Sequence, residues 1–229
     1  MGIGIGYWLV MGGTMLLSFL ISSTLKRRFQ EYSQIPLRVT GAEVAEMMLR
    51  SHGIRDVRVT QVNGHLTDHY NPMDKTVNLS ESVYHMNSVA AAAVAAHECG
   101  HAVQHQQAYA WLGFRSRMVP MVNLASQIMN IVLPLSLFGM VAMGNGALIW
   151  AIVGCLAVTT AFSLVTLPVE FDASRRALVW LESSGLANSM EHGRAKSALF
   201  WAAMTYVAGA VGSAAMLLYF LMQALGRRE

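Results

Sequence analysis

Charge is scarce in this chain: Asp, Glu, Lys and Arg make up 13% of its 229 residues, against 54% hydrophobic. So few charged side chains cannot solvate a globule of this size, which excludes an ordinary water-soluble domain. Cysteine is nearly missing as well, with two in all, and that excludes a disulfide scaffold. Cys99 and Cys155 are each expected as small buried hydrophobes. The net charge of +3 comes without any interleaved basic and aromatic patch, so no nucleic-acid partner is expected. There is no internal repeat, low-complexity tract or long linker. Residues 1–229 are therefore expected to form a single integrated unit.

What the chain has instead is hydrophobic length. Residues 7–25, 118–143, 147–168 and 199–225 contain no Lys, Arg or Asp, and each is near or above the roughly 20 apolar residues that a bilayer core requires. The expected class is a mainly α membrane protein with about four transmembrane helices in a lipid bilayer. The first run lacks a basic leader and a small-residue cleavage site, and Lys26, Arg27 and Arg28 follow it, as in an uncleaved anchor. Of the 16 Lys and Arg, ten fall in residues 26–117 and four in 169–198. Both segments are thus expected on the cytoplasmic side, with Arg227 and Arg228 a weak conflict at the chain end. Asn123, Ser126, Gln127 and Asn130 form a polar stripe expected to face other helices or a cytoplasmic cavity. Ala208, Gly209, Gly212 and Ser213 suit close helix packing, with a homo-oligomer as a second use.

The segment 26–117 shows mixed local signals. Thr40-Gly41-Ala42-Glu43 has the form of a capping box opening a short amphipathic helix, which Gly53 would end. Residues 55–62, 66–70 and 76–79 read as strands around the turn Asn71-Pro72-Met73-Asp74, giving a small antiparallel sheet. Ser88 or Asn87 would then cap a long alanine-rich helix.

That helix carries His97-Glu98-Cys99-Gly100-His101. Two histidines four residues apart project from one helical face about one turn apart, so both can bind one tetrahedral zinc ion, Zn2+. Glu98 sits roughly 100° round the helix, beside the position a water would take. The pattern is that of a zinc-dependent hydrolase with Glu98 as general base. Gly100 is expected to admit a close neighbour, or to be a tolerated small residue.

A hydrolytic site needs three protein ligands and one open position. His105 lies eight residues beyond His97, about 12 Å along a continuous helix, too far to share the ion. Glu170 is the better candidate: it follows the third apolar run, and two crossings return it to the face of the bilayer that carries His101. A carboxylate there is costly unless it is metal-bound or paired, Arg175 and Arg176 being the alternative partners. Asp172, two residues on, would face away.

The stretches Leu66-Thr67-Asp68-His69-Tyr70, Val83-Tyr84-His85, His97 to His101 with Ala102-Val103-Gln104-His105, Pro168-Val169-Glu170-Phe171 and Thr205-Tyr206-Val207-Ala208 resemble the neutral zinc metallopeptidases of the bacterial YugP type. The likeness spans nearly the whole chain. It implies a membrane-bound zinc endopeptidase of gluzincin type, distantly similar to the HtpX and Ste24 class, in the bacterial inner membrane. It also implies zinc ligation by His97, His101 and Glu170, and general-base function for Glu98. The HtpX and Ste24 pattern places an Asp four residues after the ligand glutamate. Ser174 stands there instead, so that Asp's contact is not carried over.

The expected fold is thus a zincin-like α+β portion, short sheet plus HExxH helix, on the membrane helices. Residues 26–117 would hold that portion and residues 169–198 the third ligand. A peptide or membrane-protein substrate would lie extended along the 66–70 strand. His69 and Tyr206 are candidates for aiding the oxyanion, although a strand histidine is usually solvated and an interfacial tyrosine usually an anchor. The competing function is a non-catalytic scaffold in which zinc staples the helices. Such a site would normally close with four protein ligands and gain nothing from Glu98.

Overall fold

A computed structural model of the chain describes residues 4–64, 66–137 and 146–226. In order these form α1 (Ile5–Ser33), α2 (Gly41–Ser51), β1 (Arg58–Val62), β2 (His69–Asn71), β3 (Thr76–Ser80), α3 (Glu81–Tyr84), α4 (Val89–Gln106), α5 (Ala110–Leu137), α6 (Gly146–Ser183) and α7 (Ser189–Leu225). The fold is mainly helical with one small sheet. The chain divides into two units: Met1–Ile21, Phe114–Leu167 and Thr205–Glu229 form the first, and Ser22–Gly113 with Pro168–Met204 the second.

Among the described residues, three helices are long and apolar enough to cross a membrane: Ile5–Ser33, Leu148–Ser183 and Ser189–Leu225. The fourth expected span, 118–143, is helical as far as Leu137 but does not qualify, and residues 138–143 lie outside the described residues. The long helices also overrun the apolar stretches that announced them. α6 continues through Pro168 for 38 residues, and α7 begins at Ser189, ten residues before its apolar run. Proline removes one backbone donor, but in a long helix the neighbouring bonds carry the chain past it. Segment 169–198 is therefore mostly the extension of two long helices.

In the first unit Tyr7, Val132, Ile149, Ile152, Val153, Phe220 and Ala224 form a buried apolar cluster. Gly212 lies against Thr14, as small-residue packing requires, while Gly209 faces open space. The polar stripe Asn123, Ser126, Gln127 and Asn130 is exposed rather than turned toward other described helices.

The second unit is built on α2 packing against α4. Thr40 Oγ1 accepts from Glu43 N at 3.2 Å, and Glu43 Oε2 accepts from Thr40 N at 2.7 Å, completing the capping box. Gly53, at φ +71°, ends the helix: its N–H reaches Arg50 O and that of Ile54 reaches Leu49 O. Val44, Ala45 and Met48 are fully buried, and burying side chains the size of valine and methionine stabilises by about 1.5–3 kcal/mol each. On α4, Ser88 Oγ caps Ala91 N at 3.2 Å, and Ala90, Ala91, Ala92, Ala93, Ala95 and Ala96 are all buried. Small side chains on every face let neighbours approach this helix closely.

The sheet differs from the antiparallel one expected. Its order is β1-β3-β2: β2 pairs antiparallel with β3, but β1 pairs parallel, Arg58 opposite Thr76 through Val62 opposite Ser80. β3 is central and nearly all buried, which a middle strand requires. β2 starts at His69 rather than Leu66, because Leu66 takes a left-handed conformation at φ +59°. It occupies a sheet edge and contacts α4.

Candidate metal centre

α4 supplies His97 and His101 and α6 supplies Glu170, all within the second unit. The imidazole rings stand 4.8 Å apart between centroids, nearly perpendicular. Glu170 Oε2 lies 3.3 Å from His97 Nε2 and 3.7 Å from His101 Nε2. Among the described residues this is the group of His, Cys, Asp and Glu side chains able to hold a metal ion, with one donor atom from each within 4.8 Å of the others.

The donor set fits zinc. Ligands about 2.0–2.1 Å from a tetrahedral ion stand about 3.3–3.4 Å from one another, close to the two imidazole–carboxylate separations here. Two imidazoles and one carboxylate also match the ligand set of a zinc site that keeps one position open. The far ring nitrogens are engaged: Ser174 Oγ is 3.1 Å from His97 Nδ1, and Gln104 Oε1 is 3.0 Å from His101 Nδ1. Both Nε2 atoms are thereby aimed at Glu170. Burial works to depress the His101 pKa, but hydrogen bonding to Glu170, with Glu98, Glu170 and Gln104 contributing, raises it above its ordinary value. Glu170 itself is 2% exposed.

The close approach behind this geometry depends on Gly100. A Cβ there would fall 2.6 Å from Ala173 O on α6, so the residue has the packing role considered for it. Cys99 points elsewhere, its Sγ 3.5 Å from Ala45 O. Burial, and then Glu98, pushes its thiol well above the usual range.

Glu98 is buried beside the centre, and its Oε2 accepts a hydrogen bond from the backbone N–H of Tyr70 at 3.0 Å. The Tyr70 hydroxyl and His105 Nδ1 share a second bond at 2.8 Å. Edge strand β2 is thus tied twice to α4, and His105 is occupied by that tie rather than by the metal group. His69, next in the strand, has Nδ1 2.7 Å from Thr67 O and Nε2 3.3 Å from Asn78 Nδ2. Tyr206 belongs to the first unit. Arg175 and Arg176 do not pair with Glu170; both bind Asp172.

Gln104 and the Tyr70 amide were not singled out from the sequence as parts of the centre, and Ser174 was noted only as the residue standing where the HtpX and Ste24 pattern has an Asp. Helical spacing carried a signal for two of them: Gln104 lies three residues after His101, and Ser174 four after Glu170.

Residues 7–225 match the profile of a family described as "Putative neutral zinc metallopeptidase". The chain is also similar to a Bacillus subtilis (strain 168) protein named "Putative membrane protease YugP", at 41% identity over 215 residues, covering 93% of this chain and 94% of the relative. No solved structure matches it.

Proposed function

The chain belongs to the "Putative neutral zinc metallopeptidase" family, and we propose that it is a membrane-bound zinc endopeptidase of gluzincin type. The observation that carries this reading is the convergence of His97, His101 and Glu170 beside a buried Glu98. Zinc held there would supply Lewis acidity, lowering the pKa of water to about 7 and polarising a peptide carbonyl.

The protein's own groups have separate tasks. Glu98 takes a proton from the attacking water and passes it to the departing amine. The Tyr70 amide holds Oε2 of that carboxylate, leaving Oε1 to carry the proton. An extended peptide from a soluble or membrane-protein substrate adds to the β2 edge, where backbone bonds hold it whatever its side chains. His69, on the same edge strand as Tyr70, is a further candidate for aiding the oxyanion. Fourteen of the 16 Lys and Arg lie in the segments that carry the centre, which supports a cytoplasmic active site in a multi-pass inner-membrane protein.

The test is Glu98→Gln in detergent-purified protein. An amide cannot accept the water's proton, so the variant should keep its zinc and its fold yet lose casein digestion. Proteolysis at the wild-type rate overturns the mechanism. Wild-type protein that holds zinc without digesting any substrate favours the metal-stapled scaffold.

A further inference from the structure

Gln104 is fully buried, yet every polar atom of its amide is used. Nε2 donates to Val169 O at 2.8 Å and to Asp172 Oδ2 at 2.9 Å, while Oε1 lies 3.0 Å from His101 Nδ1. A carbonyl and a carboxylate can only accept, so they require the amide nitrogen to point at them. The carbonyl end must then face the imidazole, and Nδ1 of His101 must carry the proton. Nε2 of His101, 3.7 Å from Glu170 Oε2, is left as the nitrogen whose lone pair would bind a metal ion. His97 has no such constraint, because its partner Ser174 is a hydroxyl that can donate or accept.

We infer that Gln104 is a positioning residue: anchored by Val169 O and Asp172, it fixes His101 as the Nδ1–H tautomer and ties the histidine helix to the glutamate helix. Asp172 is the source of that direction. Its oxygens accept from Arg175 and Arg176, and a carboxylate paired with two guanidinium groups offers the amide only an acceptor. Val169 precedes Glu170, so the Nε2 to Val169 O bond joins the frame of His101 to the backbone that delivers the third ligand. This inference rests on the metal centre proposed above.

The experiment measures metal affinity of the full chain in detergent by competition with a chelator of known affinity, together with the visible absorption of Co2+-substituted protein. Gln104→Met keeps the length and removes both hydrogen-bonding ends; it should bind zinc 10–100-fold more weakly and alter the Co2+ spectrum. Gln104→Glu combined with Asp172→Asn reverses the polarity of the pair, because the new carboxylate accepts both from His101 and from the amide introduced at position 172. The Val169 carbonyl then faces an oxygen, so the double variant should recover part of the affinity lost in Gln104→Met, together with the wild-type Co2+ spectrum. Gln104→Met with unchanged affinity, or a double variant no better than Gln104→Met, overturns the inference. If the Gln104→Met protein does not fold, the Co2+ spectrum of the double variant measured against wild type decides alone, an altered spectrum counting against the inference. Wild-type protein that binds no zinc would instead overturn the metal centre itself.

Discussion

Gly100 and Ala173 meet backbone to backbone: a Cβ on Gly100 would lie 2.6 Å from the Ala173 carbonyl oxygen and 3.1 Å from its carbonyl carbon and Cα. Gly100 stands between the two ligand histidines on α4, and Ala173 between Glu170 and Ser174 on α6. Their contact therefore sets the spacing of the two halves of the centre.

Gly100→Ala is accordingly expected to force α4 and α6 apart. No flexible side chain is available to yield, so the cost should be about 1–3 kcal/mol, with zinc content falling alongside. Thermal unfolding and metal analysis in detergent check both effects. Unchanged stability and unchanged zinc would show that something else sets the separation.

Removing one ligand should cost about as much as removing another. Glu170→Ala is expected to lower zinc content nearly as far as His97→Ala, while His105→Ala, which only unties Tyr70, should leave zinc in place. A chelator should lower the thermal midpoint of the wild type and barely move that of Glu170→Ala, since only the former has metal to lose. Full zinc occupancy in Glu170→Ala would remove that residue from the centre.

Membrane orientation is open to a direct check. Single cysteines near Asp74, Asn188 and Gly226, in a background lacking Cys99 and Cys155, should respond differently to an impermeant reagent in intact cells. The first two are expected to stay unlabelled and the third to react, because basic residues concentrate in the segments around the first two. Labelling of the positions near Asp74 and Asn188 on opposite sides would be incompatible with one centre joining His97 to Glu170.

Local chemistry was readable in the chain, and non-local pairing was not. The Thr40–Glu43 box, the Gly53 stop and the Ser88 cap each act within a few residues, so their signals are complete in the sequence. The histidine pair has the same local character. The parallel pairing of β1 with β3 depends on where the chain goes between Val62 and Thr76, which alternation of side chains does not encode. Apolar runs told where α6 and α7 could meet lipid but not where they end, because polar helical turns continue both beyond the runs. Gln104 takes its role only from Val169 and Asp172, which lie 65 and 68 residues further along the chain.

Cys99, directly after the proposed base, has a practical consequence. Its thiol is buried against the Ala45 carbonyl and held in the protonated form, so an alkylating reagent cannot attack it while α2 and α4 stay together. Modification must wait for those helices to part, and its rate counts the openings. The protein thus carries its own clock for local unfolding, one residue from the carboxylate on which hydrolysis would depend.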